Sequence, residues 1–149
     1  MMKASWFYVV CFGLLLASPL FAMALRNDDP GAVAQRFINA HVMDAKGEAG
    51  TINWVQANPD VTARFKAKLK RLYGEALAED PGYGYGADAI LGGQDAADFY
   101  RVGRCVVEGP RAQVLLLGEG SEPPLEVRVH LIQENGRWLV DASGDLIKD

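Results

Sequence analysis

The sequence predicts an α+β domain with N-terminal helices packed on one face of a curved antiparallel four-stranded meander. Three observations predict it. Apolar residues recur at helical spacing as far as residue 77; the period changes to two from residue 99 onward; and the strand-like runs are joined by short turn signals, ending in Asn135-Gly136, the strongest two-residue hairpin signal.

The chain opens with an export signal. Residues 1–24 combine a positive start at Lys3, an apolar run over residues 6–17, and small residues Ala22 and Ala24 at the positions a signal peptidase reads. Ser18 and Pro19 interrupt the run where a spanning helix would continue, which argues for cleavage and against stable membrane insertion. Cys11 lies inside the run rather than at its end, which argues against a lipid anchor. The mature chain is expected to be residues 25–149, a single domain, periplasmic or secreted from a bacterium.

The whole chain carries a net charge of −4, and losing Lys3 with the leader makes it one unit more negative. Nonspecific nucleic-acid binding is disfavoured. Cys105 is the one cysteine left, so no intramolecular disulfide forms and the core must supply the stability.

Asp28, Asp29 and Pro30 make a helix start, and Val33, Phe37, Ala40 and His41 follow at helical spacing, predicting a helix over residues 30–43. Lys46, Gly47 and Gly50 end it. Residues 51–56 read as a short helical turn that buries Ile52, Trp54 or Val55. Asn58-Pro59-Asp60 reads as a second cap, followed by the stripe Val61, Phe65, Leu69, Leu72, Tyr73, Ala76 and Leu77. Arg64, Lys66, Lys68, Lys70 and Arg71 occupy the other faces of that helix, as a solvated surface or as a surface for an acidic partner.

Residues 80–98 break the pattern. Glycines alternate with Tyr83 and Tyr85, and Asp88, Gln94, Asp95 and Asp98 follow. Such glycine density calls for unusual backbone angles, and a long irregular loop in a small domain is often a binding loop. Strands are then predicted over 99–107, 111–117, 125–133 and 137–142, with Leu125, Val127, Val129 and Leu131 alternating against polar neighbours.

This order of elements, ending in Gly136-Arg137-Trp138-Leu139-Val140-Asp141, resembles the cystatin-like and NTF2-like folds. The segment Asp88-Ala89-Ile90-Leu91-Gly92-Gly93-Gln94-Asp95 resembles that of an exported bacterial family of unknown function, DUF3828. The resemblance implies a cone-shaped domain with a pocket between sheet and helices and no transferable catalytic set; Asp141 either faces that pocket, as the last-strand acid does in enzymes of the wider fold, or caps or hydrogen-bonds a neighbouring backbone amide.

Catalytic chemistry is thinly provided for. His41 and His130 are the only histidines, Cys105 reads as a buried inert thiol beside Val106 and Val107, and no GxSxG, HExxH, CxxC or phosphate-binding glycine motif occurs. No catalytic residue, metal ligand or cofactor is assigned. The leading expectation is a noncatalytic binding module acting on a protein partner, with an immunity protein that neutralises an exported toxin as one concrete form. Its candidate contacts are Tyr83, Tyr85, Asp88, Gln94, Asp95, Asp98 and Asp141, because tyrosine supplies much contact area at small entropic cost. Two alternatives stay open: a small-molecule-binding, hydrolytic or isomerase enzyme with Asp141 or Asp95 as base and His130 assisting, and a calcium- or ligand-binding envelope protein using the acidic loop.

Overall fold

A computed structural model describes residues 29–44 and 47–148; the export segment lies outside the described residues. The first helix, α1 (Pro30–Asp44), begins as its sequence predicts, with the Asp29 carboxylate accepting the Ala32 amide at 3.2 Å and proline in the first turn. It turns Val33, Ala34, Phe37, Ile38 and His41 inward.

The second helix is longer than the turn expected. It runs from Gly47 to Ala57 (α2), so Gly47 and Gly50 do not end a helix but open one. Its sequence is a poor helix former, and tertiary contacts hold it. Thr51 and Val55 are buried, Trp54 stacks 5.2 Å from Phe37, and Glu48 accepts a backbone amide from the glycine-rich loop.

Helix α3 (Ala63–Glu79) is capped by Thr62 rather than by the 58–60 segment: the Thr62 hydroxyl accepts the Phe65 amide at 3.1 Å. Asn58 instead closes a local turn onto the Asp60 amide, and Val61 leaves the helical stripe to bridge Val140. Phe65, Leu69 and Tyr73 form the buried face, each worth about 1.5–3 kcal/mol of burial for the aliphatic and aromatic bodies. Leu77 lies beyond the core and is exposed.

Four strands follow: β1 (Tyr100–Glu108), β2 (Arg111–Gly118), β3 (Glu126–Glu134) and β4 (Arg137–Ser143), then a 3-10 helix over Gly144–Ile147. They pair antiparallel in sequence order, as the meander predicts. Asn135 and Gly136 both take positive φ, 51° and 76°, the conformation that this two-residue hairpin demands. The helices cover the face bearing Ala112, Val114, Leu116, Val127, Val129, Leu131 and Val140. Phe37, Phe65 and Leu69 fill the space where the resemblance implied a pocket.

Both sheet edges meet other parts of the chain. At β1 the Asn39 side chain imitates a strand, donating to the Tyr100 carbonyl at 2.9 Å and accepting its amide at 2.8 Å. At β4 the Val140 amide donates to the Asp60 carbonyl and the Thr62 amide to the Val140 carbonyl. Cys105 differs from expectation. It is exposed, because it lies on the edge strand beside the first turn of α1 rather than under the core.

Candidate functional site

The glycine-rich loop is more ordered than its composition suggests, and most of its polar groups hold the loop itself. Asp88 is the hub. Its Oδ1 accepts the amides of Ile90 at 2.9 Å and Leu91 at 3.1 Å, and its Oδ2 lies 2.6 Å from Nε2 of buried His41. Burial opposes its charge, but the imidazole and the two amides outweigh that and hold the carboxyl below its ordinary range. Gln94 donates to the Gly86 carbonyl at 3.2 Å.

Tyr85 is also committed internally. Its amide donates to Glu48, its hydroxyl donates to Asp145 at 2.9 Å, and its ring lies 5.7 Å from that of Tyr73. Partial burial and the acceptor Asp145 push its phenol up to about 12, and burial does the same to Tyr73. Tyr83 differs: it is 66% exposed and lies against Gly86, where a Cβ would stand 2.0 Å from its ring. Asp95 and Asp98 are exposed. Thus the six sequence candidates of the loop divide: Tyr85, Asp88 and Gln94 border a hollow or hold its walls, while Tyr83, Asp95 and Asp98 face outward. The hollow, about 380 Å³, is lined by Glu48, Thr51, Tyr73, Asp88 and Gln94. Among the described residues no three His, Cys, Asp or Glu side chains gather closely enough to hold a metal.

Asp141 lines a different hollow from the one beside the glycine-rich loop. It is the extra residue of a β-bulge, since His130 pairs with Ala142 and Leu131 with Val140. One oxygen accepts the Thr62 hydroxyl at 2.8 Å and Nε of Arg64 at 3.1 Å, and the other accepts Nη2 of Arg64. The same Thr62 hydroxyl caps α3, so Asp141 ties the last strand to the start of that helix. A carboxylate so occupied is a poor general base. Partial burial keeps the pKa of nearby His130 below its usual value, so the ring is neutral at pH 7.

The sheet face turned away from the helices was not singled out by sequence. Strand pairing lays its side chains in rows: Arg104, Leu115 and Arg128; then Val106, Gln113 and His130; then Glu108, Arg111 and Ile132. All of these but Ile132 line a groove of about 500 Å³. A second hollow of about 630 Å³ adjoins it at Arg111, Gln113 and His130 and reaches Asp141. Among the described residues, Arg104, Arg111 and Arg128 make no ion pair. The available signal was the run Val114–Leu117, continuously apolar where a strand with one solvated face should alternate.

No protein-family model and no curated protein sequence matches the chain. Two solved structures share its fold. A chain of the type VI native effector-immunity complex Tae3-Tai3 from Ralstonia pickettii matches with a TM-score of 0.56 and 22% identity, over 81% of this chain and 98% of that one. A chain of the SeMet form of the same effector-immunity complex matches with a TM-score of 0.52 and 23% identity, over 78% and 96%. At such identity the likeness is one of fold: three helices against an open four-stranded antiparallel sheet.

Proposed function

We propose that this chain is an exported immunity-type protein, which binds a protein partner and neutralises it by contact without chemistry of its own. The observation that carries the reading is the shared fold with a chain of an effector-immunity complex, spanning 98% of that chain. Two features of the site support it. Asp88, His41 and Asp141 are engaged in holding the fold, Asp88 bound to His41 and Asp141 to Thr62 and Arg64. The helix-free face of the sheet is left open, and Tyr83 is the exposed aromatic of the sequence-predicted loop.

The export signal in residues 1–24 supports a periplasmic location. Among the described residues no helix is long and apolar enough to cross a membrane. Membership of the DUF3828 group rests on the Asp88 to Asp95 segment alone.

The test is capture followed by neutralisation. Immobilised protein, residues 25–149, is exposed to an extract of its native cell envelope, and retained proteins are identified by mass spectrometry. The captured partner is then expressed in the periplasm of a heterologous host, with and without this chain. A single stoichiometric partner whose toxicity is relieved supports the reading. Retention of no protein, or a partner whose effect is unchanged, overturns it. N-terminal sequencing of the periplasmic fraction should begin at Leu25.

A further inference from the structure

The helix-free face of the sheet carries a feature that ordinary solvation does not require. Three arginines stand on it with no carboxylate partner among the described residues, in a chain whose net charge is −4. Between them lie half-buried apolar side chains, Leu115 and Val106, with Ile132 at the next row. Leu115 pairs with both Arg104 and Arg128, so the two arginines flank it across three strands, their Cα atoms about 10 Å apart at the usual strand spacing.

A defect in β1 creates this arrangement. Val102 points toward the helices, and strict alternation would send Arg104 the same way. The register slips between Val102 and Arg104, which turns Arg104 outward to stand beside Leu115. Gly103 makes the slip possible: a Cβ there would lie 2.7 Å from Leu117. The bulge therefore re-aims a guanidinium onto a face that already holds Arg128 and Arg111.

We infer that this face docks an acidic segment of a protein partner, in which two carboxylates flank an apolar side chain. The carboxylates pair with Arg104 and Arg128, and the apolar side chain lies on Leu115 and Val106. Guanidinium groups suit this because they are weakly hydrated and present a planar fork that a carboxylate matches with two parallel hydrogen bonds. Charge complementarity commits the occupant to an acidic partner. A nucleic acid, charged at every phosphate, would bring further negative charges against the rim acids Glu108, Glu126 and Glu134, whereas the segment brings two carboxylates, both to arginines. The inference rests on the protein-contact reading above and names the surface and the chemistry of its partner.

The experiment uses a probe that needs no knowledge of the natural partner. Isotope-labelled protein is titrated, with backbone amides followed by NMR, with a capped peptide repeating an aspartate-leucine-aspartate unit. The same peptide with lysines, an oligothymidylate and inorganic phosphate are titrated in parallel. Saturable shifts confined to the β1, β2 and β3 residues of this face are expected, weakening with salt and falling about tenfold or more in R104E/R128E. The milder R104Q/R128Q gives the same ranking should the reversed pair impair folding. Absence of shifts on this face overturns the inference, as does binding indifferent to the variants or to peptide charge. Tighter binding of phosphate or thymidylate overturns it too, and so does occupation of the face by a second copy of the chain. Envelope capture separates this idea from the wider one. A partner retained equally by R104E/R128E overturns the docking face and leaves the immunity reading intact. Peptide binding without any retained partner does the reverse.

Discussion

Replacing Asp88 with alanine tests whether this acid belongs to the fold or to a binding surface. The substitution removes the acceptor of the Ile90 and Leu91 amides, at 2.9 and 3.1 Å, and the partner of His41 at 2.6 Å. Ile90, Leu91 and His41 are all buried, so their donors cannot simply turn to water. Charge-assisted hydrogen bonds of this kind are worth about 1.5–3 kcal/mol each. The carboxylate is itself 26% exposed, which admits solvent and local relaxation, and the net loss should be about 3 kcal/mol. Urea unfolding at pH 7, followed by the fluorescence of Trp54, whose ring lies 5.6 Å from that of His41, reads this directly. With a slope of about 1.5 kcal/mol/M the midpoint should fall by about 2 M. Acid adds a second signature. The folded carboxyl titrates below its ordinary range, so its contribution is complete above the unfolded aspartate value of about 3.9 and vanishes as pH falls through the lower folded value. The gap between wild type and Asp88→Ala should therefore close in strong acid. A gap below about 0.5 kcal/mol at pH 7, the scatter of ordinary surface substitutions, would refute the argument, as would one that stays constant into strong acid.

Further outcomes follow from the same geometry. Gly144→Ala should destabilise by about 3 kcal/mol, because a Cβ there would stand 2.5 Å from the Ala89 carbonyl oxygen and 2.6 Å from the Gly92 nitrogen, on a φ of +53°; a thermal melt unchanged within error would contradict this. Thr62→Ala should cost about 2 kcal/mol, since it removes the cap of α3 and a hydrogen bond to buried Asp141. Asp141→Asn should cost less than Thr62→Ala, because the Arg64 side chain it releases is 72% exposed; equal losses in urea would show that the ion pair dominates. Tyr85→Phe should lower stability by about 1 kcal/mol with partner capture unchanged, and Tyr83→Ala should do the opposite. In wild type, stability should decline between pH 10 and pH 12, where unfolded phenols ionise before Tyr73 and Tyr85, whose folded values are near 12; a flat alkaline limb would count against those burial effects.

The sequence determined on its own whatever depends on neighbours along the chain. The faces of α1 and α3, the four strands and the hairpin at Asn135-Gly136 are local patterns of period and turn chemistry, and they were legible. The glycine-rich loop was legible as a special region, but its distant partners were not. Nothing in its spacing says that Asp88 meets His41, 47 residues earlier, or that Tyr85 meets Asp145. Helix α2 was read too short because its propensity is weak and its stability comes from Trp54 on Phe37 and from Glu48 on the loop. Thr62 as cap, and Val61 as a bridge to Val140, depended on where β4 lies. The arginine face is the clearest case. Whether Arg104 points to the helices or away turns on one slipped register in β1, permitted by Gly103 and fixed by pairing with β2. Strand register is a property of two chains of residues in contact, so only the tertiary structure could decide it.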